Sequence, residues 1–71
     1  MIHFTKYAIQ KFDILNKYKV FFTKEQIEEA CRVPDRRSKN GKIFGSEKDG
    51  VKVLYKKDGE IIKVITFFPV R

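Results

Sequence analysis

Two strand-like segments on either side of Asp58-Gly59 constrain this sequence more than any other feature. Residues 51–68 read VKVLYKKDGEIIKVITFF, so valine, isoleucine and aromatic residues flank the Asp-Gly pair. Asp-Gly between two such segments is the strongest short-range indication of a β-hairpin. We therefore expect two long antiparallel strands joined by a tight turn, with the rest of the chain packed around them.

A two-residue loop at Asp58-Gly59 would also fix the register of the two strands, with Lys57 facing Glu60 and Val53 facing Val64. Because side chains alternate across a strand, this register sorts them onto two faces. The first face, which we expect to be core, carries Val51, Val53, Tyr55, Ile62, Val64, Thr66 and Phe68. The second carries Lys52, Leu54, Lys56, Ile61, Lys63, Ile65 and Phe67.

Two amphipathic helices are predicted before the hairpin. Thr5 has the side chain of a helix N-cap, and apolar residues recur at helical spacing through residues 5–18. Thr23 opens the second helix, because Gln26 three residues later completes a capping box. Pro34 ends this helix at the preceding residue.

The remaining segments predict an α+β fold. A short extended segment precedes the first helix, and residues 42–46 form a short strand in which Gly45 marks a bulge or a close approach. The order is β-α-α-β-β-β, and we leave open whether residues 35–38 form a further strand. Two helices should pack on one face of an antiparallel sheet, with the other face open. At 71 residues, we expect residues 1–71 to form a single domain.

The charge of the chain suggests a polyanionic partner. Sixteen Lys and Arg against nine Asp and Glu give a net charge of +7. Such a small basic domain is suited to RNA, DNA, an acidic protein or an anionic membrane surface, although lysines also serve solubility alone. One cysteine excludes an internal disulfide and favours a reducing, cytoplasmic setting. No apolar segment approaches the ~18 residues that span a membrane.

Metal and cofactor chemistry is not expected from these residues. One histidine, His3, and one cysteine, Cys31, do not make a zinc site, and no glycine-rich phosphate loop is present. Cys31 lies on the apolar stripe of its helix and is interpreted as structural. What remains is a set of cations and rings on a sheet, which is how single-stranded RNA is commonly held. Cleavage of RNA without a metal needs a base, cations beside the phosphorane and an acid.

The order of three segments resembles a known family. HFTKYAIQKF, FTKEQIEEACRVPD and VITFFPVR resemble the small RelE/ParE-like toxins of toxin–antitoxin systems. They are more similar to a small uncharacterised family adjoining those toxins, which has a Thr-Lys-His-Ala opening, an Ile-polar-polar-Ala helix that ends in proline, and a Val-apolar-Thr-aromatic closing strand. The resemblance covers residues 2–71 and implies a RelE-like fold. The related toxins are endoribonucleases that cleave mRNA, many of them on the ribosome, and an antitoxin holds them inactive.

The residues and the resemblance together nominate a set of site residues. Lys6 matches the family's opening lysine, Thr66 its closing threonine and Arg71 a basic residue that often follows, whereas Tyr7 replaces the usual histidine. The catalytic candidates are His3, Tyr7, Tyr55 and Arg71. The candidates for RNA binding are Lys6, Arg36, Arg37, Lys52, Lys56 and Lys63.

Two functions stay open at this point. The first is a cytoplasmic RelE-like toxin, or a relative of one, that binds RNA such as ribosome-bound mRNA, has an acidic antitoxin as partner, and cleaves the RNA without a metal. The second is a non-catalytic module of the same fold. It would bind an acidic protein, or form a homodimer, through the uncovered face of its sheet.

Overall fold

Five strands and two helices make up the computed structural model, which describes residues 2–70. In chain order they are β1 (Ile2–Phe4), α1 (Lys6–Lys17), α2 (Lys24–Arg32), β2 (Arg36–Asn40), β3 (Ile43–Lys48), β4 (Val51–Asp58) and β5 (Ile61–Pro69). The predicted α+β class is confirmed. The segment left open after the second helix does form a strand, β2, so the sheet has one strand more than the basic prediction.

Both helices begin where their capping residues predict. The Thr5 hydroxyl accepts a hydrogen bond from the Ala8 amide at 3.2 Å. At the second helix, the Gln26 amide donates to the Thr23 hydroxyl at 3.1 Å, and the Thr23 amide donates to the Gln26 side chain at 2.8 Å. Each cap satisfies amides that the first helical turn leaves without a partner.

The sheet has the order β1-β5-β4-β3-β2 and contains one parallel pair. Strand β1 runs parallel to β5, with Ile2 opposite Ile62 and Phe4 opposite Val64. The other neighbours are antiparallel and are joined by short hairpins. The sheet is therefore mixed, whereas the sequence predicted a wholly antiparallel sheet and only a short extended segment before the first helix.

The β4–β5 hairpin exists, but its predicted register is wrong near the turn. Asp58 lies opposite Ile61, so Gly59 and Glu60 form the two-residue loop instead of Asp58 and Gly59. Gly59 adopts a φ of 63°, in the region that favours glycine. Glycine at the first position of a two-residue loop is the requirement of a type II′ turn, whose twist suits a hairpin.

A bulge in β5 also overturns the predicted faces beyond Val64. Leu54 lies opposite Thr66 while Tyr55 lies opposite Val64, so Ile65 is an extra residue in β5. One extra residue exchanges the two faces for everything that follows. Thr66 and Phe68, predicted as core, therefore lie on the face away from the helices, and Phe67 lies in the core.

Packing around Phe67 gives the physical reason for the bulge. The ring is fully buried, and its centroid lies 4.5 Å from that of Phe12 and 6.2 Å from that of Phe22. Phe12 belongs to α1 and Phe22 to the segment before α2, so α1 and this segment pack on the same side of β5. The rest of the buried core is Ala8, Leu15, Ile27, Ala30, Cys31, Val51, Val53, Tyr55 and Val64.

The buried thiol of Cys31 makes the stability of the fold sensitive to alkaline pH. Burial raises the pKa of this thiol from 9.0 to about 11, and the charge of Glu28 adds to the shift. Between these values the unfolded chain loses the proton first, so stability should fall by up to about 1.4 kcal/mol per pH unit. Urea unfolding of wild type and Cys31→Ala between pH 8 and 11 measures this. The variant should show the shallower decline, and equal declines would contradict the assignment.

Candidate nucleic-acid interface

One face of the sheet is covered by the helices and the other is not. Both helices pack on the side that carries Val53, Tyr55, Val64 and Phe67. Alternation along the strands assigns the opposite side chains to the uncovered side. We call this side the open face; it carries His3, Arg36, Glu47, Lys52, Leu54, Lys56, Asp58, Lys63, Thr66 and Phe68.

Three basic-type side chains lie in one row across the open face. His3 of β1 lies opposite Lys63 of β5, and Lys63 lies opposite Lys56 of β4. Adjacent strands are about 4.8 Å apart, so the row spans only ~10 Å. Like charges directly opposite each other destabilise a sheet. A phosphate bound over Lys56 and Lys63 would remove that repulsion.

The acidic partners on this face leave the row accessible. The Lys63 ammonium lies 3.2 Å from a carboxylate oxygen of Asp58, with the two side chains 45% and 71% exposed. Exposed pairs of this kind contribute only about 0–1 kcal/mol, so a phosphate competes with Asp58 at little cost. On the far side of Leu54 and Thr66, the Lys52 ammonium lies 3.8 Å from a Glu47 carboxylate oxygen.

Gly45 lies on the open face at a point where neighbouring side chains leave no room for a Cβ atom. A Cβ atom at this position would lie 2.6 Å from the Ser38 hydroxyl oxygen and 3.2 Å from the Lys52 Cε atom. The stem of Lys52 therefore crosses the space that a larger residue would fill. Of the two predicted roles of this glycine, close approach is the one found.

The nominated basic residues are only partly brought together. Lys52, Lys56 and Lys63 do share one face, as predicted, and Arg36 joins them at the β2 edge. Arg37 is the next residue along β2 and points to the other side. Lys6 is exposed in the first turn of α1.

The nominated proton-transfer residues are also separated. His3 is exposed and lies on the open face. Tyr7 lies in α1 on the other side of the sheet and is 60% exposed. Tyr55 is 3% exposed on the helix side, where its phenol oxygen accepts a hydrogen bond from Ser46 at 3.1 Å. Neither tyrosine lies beside the row of His3 and the lysines, and Arg71 falls outside the described residues.

Sequence reasoning missed two features of this region. The first is the position of His3 beside Lys63, because β1 pairs with a strand some 60 residues away. The second is a group around Phe44, where the ammonium groups of Lys39 and Lys57 lie 5.3 and 4.9 Å from the ring centroid. Lys39 lies directly opposite Phe44 on the neighbouring strand, and this pairing follows only from the β2–β3 register.

Within residues 2–70, no group of three or more His, Cys, Asp and Glu side chains is placed to hold a metal ion. In the same range, neither helix is long and apolar enough to cross a membrane. The open face, as far as the structure describes it, presents ammonium, guanidinium and imidazole groups, and the carboxylates of Glu47 and Asp58 lie close to lysines.

Comparison with known proteins identifies the fold. No protein-family model and no curated protein matches the sequence. The structure is similar to a chain in the crystal structure of the toxin–antitoxin complex RelBE2 from Mycobacterium tuberculosis, with a TM-score of 0.57 and 19% sequence identity. The match covers 100% of this chain and 96% of that chain. The protein thus has a RelE-like fold, as the resemblance implied.

Proposed function

We propose that this protein is a cytoplasmic relative of the RelE-like toxins that binds single-stranded RNA on its open face and cleaves it without a metal. An acidic antitoxin would be its protein partner. The support is of two kinds. The fold is similar to that of a chain in a toxin–antitoxin complex. The sheet also presents cations on a face that neither helix covers.

The row of His3, Lys63 and Lys56 is the observation that carries the proposal. Two lysines lie opposite each other there, and the exposed ion pair of Lys63 with Asp58 offsets their repulsion only weakly, so a bound phosphate would stabilise the row. A chain with a net charge of +7 also attracts an RNA backbone from a distance, because each phosphate contact releases a condensed counterion. Thr66 and Leu54 provide a half-buried floor next to the row.

Cleavage at this row follows the chemistry of metal-free RNases. The His3 imidazole removes the proton from a ribose 2′-hydroxyl, and the 2′-oxygen attacks the adjacent phosphorus. Lys56 and Lys63 stabilise the added negative charge on the phosphorane. The bond to the 5′-oxygen then breaks, and that oxygen takes a proton from solvent or from the imidazolium. The products are a 2′,3′-cyclic phosphate and a 5′-hydroxyl.

An RNase assay in EDTA tests this mechanism. Wild-type protein, with and without ribosomes, should cut single-stranded RNA in EDTA and leave 2′,3′-cyclic phosphate ends. His3→Gln should lower the rate by about 10²- to 10⁴-fold, the usual contribution of a general base, and leave RNA affinity within twofold. His3→Lys provides a matched control that keeps a cation without the imidazole.

Three outcomes would contradict the catalytic part of the proposal. If the wild type cleaved no RNA either with or without ribosomes, RNase activity would be excluded. Loss of cleavage on chelation would exclude the metal-free mechanism. Full activity of His3→Gln would remove His3 from the reaction.

A second candidate function rests on a different surface. Four apolar side chains, 46–76% exposed, follow the outer side of α1 and the segment after it: Tyr7, Ile14, Tyr18 and Phe21. Exposed apolar surface of this kind favours a protein partner. As a non-catalytic interaction module, the protein would cleave no RNA, and its affinity for RNA would follow net charge regardless of which lysines were changed.

A further inference from the structure

A second cationic region lies on the helix side of the sheet at its β2 edge. A cleft of about 290 Å³ is lined by Arg37, Ser38, Lys39, Phe44, Tyr55 and Lys57. We call it the edge cleft. All five residues of β2 are exposed, so the helices leave this part of the sheet uncovered. Among the described residues, those that line the cleft include three cations and no carboxylate.

The floor of the edge cleft is an aromatic surface. The rings of Phe44 and Tyr55 are stacked, with centroids 5.5 Å apart and an angle of 14° between their planes. The buried hydrogen bond from Ser46 holds Tyr55 in place at 3.1 Å. Phe44 is half-buried and forms the accessible part of this surface.

Two ammonium groups lie over the ring of Phe44. The ammonium groups of Lys39 and Lys57 lie 5.3 and 4.9 Å from its centroid. Cation–π contacts at exposed sites are weak, and two ammonium groups over one ring repel each other. A planar base would displace them from the ring, and the phosphate attached to that base would give them a partner. Stacking on aromatic rings beside cations is how single-stranded nucleic acids are commonly bound.

The edge cleft is continuous with the open face. A neighbouring cleft of about 320 Å³ is lined by Lys39, Gly41, Lys42, Phe44, Lys56 and Lys57. Lys56 belongs to this neighbouring cleft and also to the row on the open face. A single strand can therefore leave the row at Lys56 and pass the β2–β3 turn. It then reaches Phe44 without meeting a carboxylate in the lining of either cleft.

We propose that the edge cleft binds one unstacked nucleotide of the RNA strand, with its base on Phe44 and its phosphate between Lys39 and Lys57. This inference rests on the proposed RNA binding and extends it, because it adds a base contact to a surface that otherwise contacts phosphates. The base contact would select single strands over duplexes, whose bases remain stacked in the helix.

Two oligonucleotides separate the base contact from the phosphate contacts: a uridylate octamer and an abasic ribose phosphate octamer of equal length, both methylated at the 2′-oxygen so that the proposed cleavage does not occur. Phe44→Leu should bind the uridylate octamer about tenfold more weakly than wild type and the abasic octamer within twofold. Tyr18→Leu removes an exposed ring from α1 and serves as the control, with no change expected for either ligand. Fluorescence anisotropy at one salt concentration measures all of these affinities.

Phe44→Trp gives a second measurement that does not depend on the stability of Phe44→Leu. The chain contains no tryptophan, so the new indole is the sole reporter. Its emission should be quenched by the uridylate octamer and left nearly unchanged by the abasic one. If the wild type binds RNA but Phe44→Leu binds as tightly as Tyr18→Leu, or if the indole emission does not respond, the edge cleft is excluded and the open face is not. If the wild type binds neither octamer, the proposed function fails together with this inference.

Discussion

Replacing Phe67 with alanine is expected to lower the free energy of unfolding by about 3–5 kcal/mol, the usual cost of removing a buried phenylalanine. The ring is fully buried and packs between Phe12 and Phe22, so three segments would line the resulting cavity. A domain of 71 residues is typically stable by only ~4–10 kcal/mol. The variant should therefore be partly or wholly unfolded at 25 °C. Urea unfolding followed by circular dichroism measures the loss.

The neighbouring residue provides a matched control. Phe68 lies on the open face and is half-buried, so Phe68→Ala should cost less than about 1.5 kcal/mol. The two variants remove the same side chain from adjacent positions. If Phe68→Ala were the more destabilising of the two, β5 would have no bulge at Ile65 and Thr66 would lie in the core.

Local features of the fold were predictable because they depend on residues close in sequence. The cap at Thr5 and the capping box of Thr23 and Gln26 each involve residues within three positions of one another. The bulge was not predictable from alternation. It depends on Phe67 reaching Phe12 and Phe22, which lie 45 or more positions earlier in the chain.

The same reasoning explains which parts of the site were predictable. Lys56 and Lys63 lie between the bulge and the turn, and Lys52 lies on the strand that has no bulge, so the error in β5 did not move them to another face. The place of His3 beside Lys63 depends on a parallel pairing between the two ends of the chain. The edge cleft could not be predicted, because it requires the register of β2 against β3, and the sequence left open whether β2 is a strand at all.

Charge reversal at Lys56 and Lys63 is expected to have the largest effect on RNA binding. Lys56→Glu with Lys63→Glu removes about two phosphate contacts and places carboxylates where the backbone lies. The affinity for single-stranded RNA should fall on the order of 100-fold near 0.15 M salt. The fold should be retained at a modest cost in stability, because both side chains are on the open face and the Lys63–Asp58 ion pair that the change removes is exposed. Circular dichroism checks the fold and fluorescence anisotropy the affinity.

A second double variant with the same net charge tests whether RNA affinity depends on the lysines of the open face or on net charge alone. Lys17→Glu with Lys24→Glu changes the charge by the same four units, from +7 to +3. These lysines lie at the end of α1 and the start of α2, so the effects of glutamate on the two helix dipoles oppose each other.

The most direct test of an RNA site on the open face is the salt dependence of RNA binding by the wild type and the two double variants. A plot of log affinity against log salt should lose about 1.4 units of slope when Lys56 and Lys63 are reversed, the value for two contacts to a single strand. The slope of the control should stay close to that of the wild type, and its affinity within a fewfold. Equal losses of slope and affinity in both double variants would contradict an RNA site on the open face.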